Sequence, residues 1–228
     1  MQHIDKSIYT ITVAGIPLSL RPLAFGFLAT LAAAVFALTP TDARTAVPAA
    51  EERATELVEN LGDEALNTLR KNPSRTEIRQ KFEELLSEGF NIDYIARFVL
   101  GPYWRQSSPE QRDEYLALFR RMLVEVYASR FQQYSGQTFE IVNARVVSER
   151  GDPRDVEVNM LIRNPQAEDL TVDVRVRVRP DEAQIIDVAV AGVSLSLTQK
   201  EEFAAVIQRN GGRIDALIEQ LRDRVGRE

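Results

Sequence analysis

The sequence contains no cysteine, and its only histidine is His3. His3 lies upstream of a segment with the features of a signal peptide, so a mature protein would retain neither residue type. The chain then lacks the usual general base at neutral pH, the usual thiol nucleophile and the usual soft metal ligands. We therefore predict that the protein is not an enzyme, that it has no catalytic residue, metal or cofactor, and that it binds a ligand or partner.

The chain also lacks the features of a nucleotide- or nucleic-acid-binding protein. Its formal net charge is −6 at pH 7, and no stretch combines clustered basic residues with interleaved aromatic ones, as nucleic-acid binding requires. A G-x-x-x-x-G-K loop, which would cradle nucleotide phosphates, is absent as well. We expect no nucleic-acid partner and no nucleotide site on this chain.

The first 43 residues predict export. Arg21 is followed by an uncharged apolar stretch over residues 22–38, and residues 41–43 form an A-x-A-like cleavage site. We expect residues 1–43 to be a cleaved signal peptide and residues 44–228 to be a single domain in the periplasm, where a chain without cysteine needs no disulfide. An uncleaved N-terminal anchor is the alternative, because the apolar stretch is only slightly shorter than the roughly 20 residues that span a bilayer.

The spacing of apolar residues predicts helices in the first half of the mature chain and at its end. They recur every four positions over residues 52–70, and a second helix is expected to end at Gly89. Asn91 is a predicted N-cap for a short third helix, and Ser108 begins a long one with a capping-box pattern. Near the C-terminus, Thr198 is predicted to cap a further helix, and a last helix follows.

Between these helical regions the apolar period changes to two, which predicts strands. Turn-forming residues separate the four segments, so consecutive strands are expected to pair in antiparallel order. The fold class is therefore α+β, with a four-stranded antiparallel meander sheet whose apolar face is wrapped by the amphipathic helices. The predicted strands cover residues 139–147, 156–162, 172–178 and 186–190.

Charged residues occupy the other face of this predicted sheet. Arg175, Arg177 and Arg179 project from one side of the third strand, where they form either a site for phosphate or an acidic partner, or a solvated face balanced by neighbouring carboxylates. The second interpretation is favoured, because opposite charges lie at compatible positions. Asp187 alternates onto the same face and is expected to pair with one of these arginines. The balancing carboxylates are Asp155, Glu157 and Asp173.

Two segments carry a resemblance to a known family. Residues 92–104 read I-D-Y-I-A-R-F-V-L-G-P-Y-W, and residues 186–195 read I-D-V-A-V-A-G-V-S-L, followed by Lys200 and Phe203. These segments resemble signatures of the MlaC family, whose members are also called toluene-tolerance proteins and are periplasmic carriers of phospholipid. The chain departs from the family pattern at Lys200, where many members carry Arg, and at residues 198–199, where Asn-Tyr is common. The fold assignment is unaffected by these changes.

The resemblance implies a lipid carrier. Such a protein holds the acyl chains of a phospholipid, or a related amphiphile, in an apolar cleft between the sheet and the helices. It shuttles lipid between an outer-membrane lipoprotein complex and an inner-membrane ABC transporter complex, maintains outer-membrane lipid asymmetry, and is expected to be a monomer. The predicted lipid-binding residues are Leu100, Tyr103, Phe119, Met122, Leu123, Tyr127, Phe131, Ile141, Val156, Val158, Met160, Val172, Val174, Val176, Val188, Val190 and Val193.

The docking surface of such a carrier can be predicted from what a shuttle requires. A shuttle must release its partners, so its contacts with the membrane complexes should be modest in area and partly polar. Arg97, Arg105 and Lys200 are the predicted docking residues. The alternative is a periplasmic adaptor domain with a packed core and no lipid, because the same apolar pattern would form the core of any protein of this fold.

Overall fold

The computed structural model describes residues 43–131, 134, 136–148 and 153–226, with the backbone alone for residues 43–48, 130 and 131. The predicted signal peptide and its alternative, an N-terminal anchor, therefore lie outside the described residues except for position 43. The side chain of Phe131 also lies outside them. Within the described part of the chain, no helix is long and apolar enough to cross a membrane.

The described residues contain seven helices and five strands. The α+β class predicted from the sequence is confirmed. In chain order the elements are α1 (Ala43–Leu69), α2 (Arg75–Gly89), α3 (Ile92–Leu100), α4 (Tyr103–Gln106), α5 (Pro109–Phe131), β1 (Thr138–Val146), β2 (Arg154–Arg163), β3 (Leu170–Val178), β4 (Ala183–Val190), β5 (Val193–Ser194), α6 (Leu195–Arg209) and α7 (Ile214–Gly226).

Two of the predicted helix caps form as expected, since their hydrogen bonds are local. The side chain of Asn91 accepts from the backbone N–H of Tyr94 at 3.0 Å. At the start of α5, the hydroxyl of Ser108 accepts from the backbone N–H of Gln111 at 3.2 Å, and the Gln111 side chain accepts from the N–H of Ser108 at 2.9 Å. This reciprocal pair is a capping box, and it satisfies two N–H groups that the helix itself leaves free.

The predicted cap at Thr198 is wrong. The N-cap of helix α6 lies four residues earlier, at Ser194, whose hydroxyl accepts from the backbone N–H of Leu197 at 3.0 Å, and the helix begins at Leu195. Thr198 lies inside the helix and donates its hydroxyl to the carbonyl oxygen of Ser194 at 2.8 Å. The two-residue strand β5 leads directly into this helix.

The sheet is an antiparallel meander with strand order β1-β2-β3-β4-β5. Its first four strands are those predicted from the sequence, and the fifth is an addition of only two residues that pairs with β4. Such a strand is too short to show a period in the sequence. One register shift lies in β1 between Ile141 and Asn143, and another lies in the β3–β4 pair beside Arg175.

The first of two apolar cores lies between the sheet and α1. On β2, Val156 and Val158 pair with Val176 and Val174 of β3, and all four are buried. Helix α1 lies across strands β1 to β4, whereas α2, α3 and α6 reach the sheet at β4. The cover of the apolar face is therefore mainly one helix. The α1 residues in this core are Ala50, Ala54 and Val58.

The second core lies among the helices α2, α3, α5, α6 and α7. Its largest fully buried side chains are Tyr115 and Phe119 of α5, and both rings lie 6.3 Å from that of Phe203 in an edge-to-face arrangement. Burial raises the pKa of the Tyr115 phenol well above its ordinary value. The phenol therefore stays protonated and donates a 2.9 Å hydrogen bond to the carbonyl oxygen of Ala96.

Phe90, between α2 and α3, connects the two cores. It packs against both, and it forms an isolated parallel bridge with Ile185 of β4. The backbone N–H of Asn91 donates to the carbonyl oxygen of Ile185 at 2.9 Å. At the other side of α2, Gly89 lies so close to α1 that an added Cβ would come within 2.2 Å of a methyl carbon of Leu61. The C-terminal end of α2 is thereby fixed against both α1 and the sheet.

Two of the three predicted arginines on the charged face pair across strands with predicted carboxylates, Arg177 with Asp155 and Arg175 with Glu157. The third does not: Arg179 pairs with Glu182 in the following turn, and Asp173 accepts from Asn159. Arg177 binds both carboxylate oxygens of Asp155, at 2.8 and 2.9 Å, and its guanidinium carbon lies 4.4 Å from the ring centroid of Tyr94. Arg145 donates to Glu157 at 2.6 Å, and this lowers the pKa of the Glu157 carboxyl. Arginines that bind carboxylates in this way leave little free positive charge on this face.

Candidate functional site

A cavity of about 190 Å³ lies where α2, α3 and α5 meet β4 and the first turn of α6. It is on the helical side of the molecule, at one edge of the sheet, rather than along the apolar sheet face. The described residues that line it are Phe82, Leu86, Phe90, Ile92, Ile95, Val99, Phe119, Leu123, Tyr127, Asp187, Val188, Leu195, Ser196 and Gln199.

Most of the cavity wall is apolar. Eleven of its fourteen described residues are aliphatic or aromatic, and the exceptions are Asp187, Ser196 and Gln199. The rings of Phe82 and Tyr127 lie 6.4 Å apart across α2 and α5. An apolar wall with a few polar groups at one side is the usual character of a site for an apolar or amphiphilic ligand.

The polar side of the cavity is organised by Asp187. One carboxylate oxygen accepts from the hydroxyl of Ser194 at 2.7 Å, and the other accepts from the backbone N–H of Ser196 at 3.2 Å. The expectation that Asp187 pairs with an arginine of the charged face is therefore wrong: its carboxylate caps the start of α6 instead. These bonds hold the first turn of α6 against β4, which places Leu195 and Gln199 in the cavity wall.

Four of the predicted lipid-binding residues line this cavity: Phe119, Leu123 and Tyr127 of α5, and Val188 of β4. They come from elements far apart in the sequence, which the fold brings together. Three others belong to the helical core beside it, where Leu100 and Met122 are buried and Tyr103 is partly buried.

Apart from Phe131 of α5, the other predicted lipid-binding residues lie on the sheet and are not among the described residues that line the cavity. Ile141 and Val172 are partly buried in the core beneath α1, Val190 is half-buried, and Val193 is 57% exposed. Phe131 lies outside the described side chains. The members buried beneath α1 are Val156, Val158, Met160, Val174 and Val176.

Sequence reasoning missed the contribution of α2 and α3 to the cavity wall. Phe82, Leu86 and Phe90 recur at every fourth position, which is a visible helical stripe, but a stripe of this kind is equally typical of a packed core. The polar residues at the start of α6 were also missed. The missed residues are Phe82, Leu86, Phe90, Ile92, Ile95, Val99, Asp187, Leu195, Ser196 and Gln199.

The predicted docking residues lie on the outer side of α3, α4 and α6. Arg97 is exposed, with its guanidinium carbon 5.1 Å from the ring centroid of Trp104, and the ammonium of Lys200 lies 4.6 Å from that of Phe98. Phe98 is 38% exposed, and Arg105 is exposed on α4. We call these five side chains the basic–aromatic surface. It adjoins the cavity, because the inner sides of α3 and α6 line it.

Nowhere in the described residues do three or more histidine, cysteine, aspartate or glutamate side chains lie together so that they could hold a metal ion. Asp187 is the only charged side chain among the described cavity residues. The chemistry of the cavity wall is therefore that of apolar contact, with hydrogen-bonding groups at one side.

Comparisons with known proteins agree with this geometry. The model of the family described as MlaC protein matches residues 59–223. The intermembrane phospholipid transport system binding protein MlaC of Haemophilus influenzae is 26% identical over 186 residues, which cover 78% of this chain and 84% of that protein. The toluene tolerance protein ttg2D of Pseudomonas putida is 24% identical over 195 residues, covering 85% and 86%.

A solved structure is similar as well. It is a phospholipid-binding protein from Ralstonia solanacearum in complex with a phospholipid, with a TM-score of 0.64 and 26% sequence identity. The similarity covers 76% of this chain and 97% of that one. Since the family model spans most of the sequence and the relatives are covered nearly end to end, this chain belongs to the MlaC family.

Proposed function

We propose that this protein is a periplasmic phospholipid carrier whose cavity holds the acyl chains of the lipid. The observation that carries the proposal is the apolar cavity between α2, α3, α5 and β4, in a chain whose solved relative from Ralstonia solanacearum is in complex with a phospholipid. The chain acts as a carrier and not as a catalyst, and residues 1–43 act as its export signal.

Burial of acyl chains supplies enough free energy for this task. Each buried methylene contributes about 0.8 kcal/mol, so about fifteen of them contribute roughly 12 kcal/mol before the costs of association. A carrier needs only to hold its lipid across an aqueous space and then release it. The energy for directed transport would come from the ABC transporter partner.

Loading requires the cavity to widen. Its volume is about 190 Å³, similar to that of an engineered apolar cavity of about 150 Å³ that holds one benzene molecule. Two acyl chains occupy a far larger volume than this. Phe82 lines both this cavity and a second gap of about 10 Å³ between α1 and α2. Since that gap is too small to receive the Phe82 ring, loading requires the helices around the cavity to move apart.

The proposed shuttle docks through the basic–aromatic surface. Arg97, Arg105 and Lys200 would steer the carrier towards acidic surfaces of the outer-membrane lipoprotein complex and the inner-membrane ABC transporter complex. Phe98, partly exposed beside Lys200, would add apolar contact. Since the surface adjoins the cavity, lipid could pass to a partner that is docked there. We expect the carrier to be a monomer, so that the surface stays accessible.

Uptake from vesicles tests the proposal. The mature protein is stripped of lipid, incubated with vesicles that contain radiolabelled phospholipid, and separated from them by flotation. We expect about one phospholipid per protein in the soluble fraction, in accordance with a single cavity. Bovine serum albumin stripped in the same way serves as a positive control for extraction. Absence of lipid from the carrier fraction would favour the adaptor alternative.

A further inference from the structure

The hairpin between β4 and β5 presents an uncharged surface to solvent. No residue in the stretch 188–199 carries a charged side chain. At the tip of the hairpin Ala191, Gly192 and Val193 are exposed, and Leu197 in the first turn of α6 is 47% exposed. We call these four residues the apolar tip. Apolar residues that cluster on a surface mark a site of interaction more often than apolar residues scattered singly.

The turn at the apolar tip has a backbone conformation that usually requires polar residues or glycine. Val190 pairs with Val193, so Ala191 and Gly192 form a two-residue loop, and their φ angles are 49° and 78°. Positive φ at both loop positions is typical of a type I′ turn, whose usual sequences are Asn-Gly and Asp-Gly. Ala191 adopts the left-handed region without the polar side chain that favours it. The tip is therefore apolar at a conformational cost, and such strain is characteristic of functional segments.

The segment that carries the apolar tip also forms one side of the cavity. Val188 precedes the hairpin, Leu195 follows it, and both line the cavity. Asp187 fixes the segment through its hydrogen bonds to Ser194 and to the backbone N–H of Ser196. A lipid that leaves a membrane in contact with the tip would therefore have only a short path to the cavity.

Charged residues beside the tip limit how it can meet a membrane. Lys200 lies one turn of α6 beyond Leu197, with its ammonium 4.6 Å from the ring centroid of Phe98, and Arg97 is exposed on α3. Such cations favour the anionic headgroups of a bilayer surface. Glu201 lies four residues after Leu197, on the same side of the helix. Its carboxylate restricts insertion to the hairpin and the start of α6.

A lipid surface fits the apolar tip better than a protein does. Stable protein interfaces bury about 800 Å² on each partner around aromatic or arginine anchors, whereas the tip offers small and aliphatic residues on a hairpin. The headgroup region of a bilayer is fluid and can surround such a projection. The turn also keeps its own hydrogen bonding, since the N–H of Ala191 donates to the carbonyl oxygen of Thr171 at 2.9 Å. Fewer backbone groups are then left unpaired on insertion.

We infer that the apolar tip inserts into the headgroup region of a phospholipid bilayer and holds the cavity against the membrane surface. This inference rests on the proposed function and adds a direct route between membrane and cavity. Insertion brings the cavity wall formed by Val188 and Leu195 next to the bilayer. The contact is transient, because the tip is too small to anchor the protein.

The absence of cysteine from the chain allows a test with one fluorescent label at a time. The variant Val193→Cys carries the environment-sensitive dye NBD on the tip. The control, Val142→Cys, carries it on β1 at the opposite edge of the sheet, and the two valines are 57% and 58% exposed. With vesicles of phosphatidylethanolamine and phosphatidylglycerol, we expect emission from position 193 to shift to shorter wavelength and to be quenched by brominated lipid. Emission from position 142 should stay unchanged.

A second variant separates membrane contact from folding. Ala191→Asn places a favoured but polar residue in the turn, so Tm should be unchanged or higher. The initial rate of lipid uptake from the same vesicles should fall about threefold to tenfold, because the amide loses part of its hydration on insertion. The final amount of lipid per protein should equal that of the wild type, since the cavity is unaltered.

Several results would overturn the inference. These are the absence of a shift at position 193, equal shifts at positions 193 and 142, and an unchanged uptake rate in Ala191→Asn. A shift that persists in lipid-loaded protein after its separation from the vesicles would also do so, because the carried lipid would be its source. A shift that requires vesicles containing the transporter complex would replace the bilayer with a protein partner. A shift at position 193 in a protein that takes up no lipid would uphold the membrane contact and refute the proposed function.

Discussion

The sharpest test of the cavity compares two neighbouring residues of α5. Leu123 is half-buried and lines the cavity, whereas Met122 is 1% exposed, belongs to the helical core and is not among the described residues that line the cavity. Replacement of each by Trp adds the same ring system at adjacent positions of one helix. The two variants differ in whether the ring meets empty space or packed side chains.

The expected magnitudes follow from the space available. At position 123, the indole enters a cavity of about 190 Å³, and a cavity of about 150 Å³ accommodates a benzene ring. Leu123→Trp should therefore change the free energy of unfolding by less than about 1 kcal/mol, while its indole occupies most of the existing cavity, which the acyl chains must enter before it can widen. Met122→Trp overpacks the core, at a cost of about 1–3 kcal/mol.

Thermal unfolding and vesicle uptake measure the two effects. For a domain of this size, each 1 kcal/mol lowers Tm by about 2–4 °C, so Met122→Trp should lose roughly 2–12 °C. Leu123→Trp should keep the wild-type Tm and lose most lipid uptake. The reasoning is refuted if Leu123→Trp is destabilised as much as Met122→Trp and still takes up lipid, because Leu123 would then be an ordinary core residue.

Three further predictions concern packing, pH and docking. Gly89→Ala should cost about 1–3 kcal/mol in a chemical denaturation curve, because the new methyl collides with Leu61 at the α1–α2 contact. The Arg145 guanidinium lowers the pKa of the Glu157 carboxyl, so this group stabilises the fold above its ordinary pKa of 4.5, and the effect disappears as the pH falls through the lower folded value. Glu157→Gln should accordingly reduce the loss of Tm between pH 5 and pH 3. Lys200→Glu should slow association with membranes that contain the transporter complex and weaken its salt dependence, as surface plasmon resonance would show.

Each of these predictions has a control or a contradicting result. Gly226 has no atom within 4 Å of an added Cβ, so Gly226→Ala should be neutral or slightly stabilising. A Glu157→Gln variant whose Tm changes with pH just as in the wild type would show that the pair with Arg145 contributes nothing. Equal binding of wild type and Lys200→Glu at low and moderate salt would remove Lys200 from the docking surface, whatever the lipid content of the two proteins.

Local features of the fold could be predicted from the sequence. The caps at Asn91 and Ser108 depend on groups within three residues of each other, and the strands are marked by alternation on a single face. The cap of α6 was predicted wrongly although its own hydrogen bond, from the Leu197 N–H to the Ser194 hydroxyl, is equally local. Ser194 and Thr198 are both suitable N-caps in sequence, and the Ser194 hydroxyl is oriented by Asp187, which lies on a different strand. A two-residue strand such as β5 has no sequence period at all.

The residues of the candidate site were predicted less completely than the helices and strands, because a cavity depends on how distant elements pack. Phe119, Leu123 and Tyr127 of α5 were among the lipid-binding residues that the family resemblance implied, but the apolar stripes of α2 and α3 look the same whether they face packed side chains or empty space. A cavity arises where helices distant in the sequence fail to fill the space between them, and no local pattern records that failure. The buried valines of β2 and β3 were predicted to bind lipid, but they line no cavity, because α1 fills the space above them.

The most direct test of the account is the lipid content of the protein itself. The mature protein is purified from the periplasm without detergent and extracted with organic solvent, and the extract is analysed by mass spectrometry against a mock purification. The account predicts about one equivalent of phospholipid in the wild type and a small fraction of that in Leu123→Trp. An extract without lipid, together with no uptake from phospholipid vesicles, would contradict the claim that this cavity carries lipid.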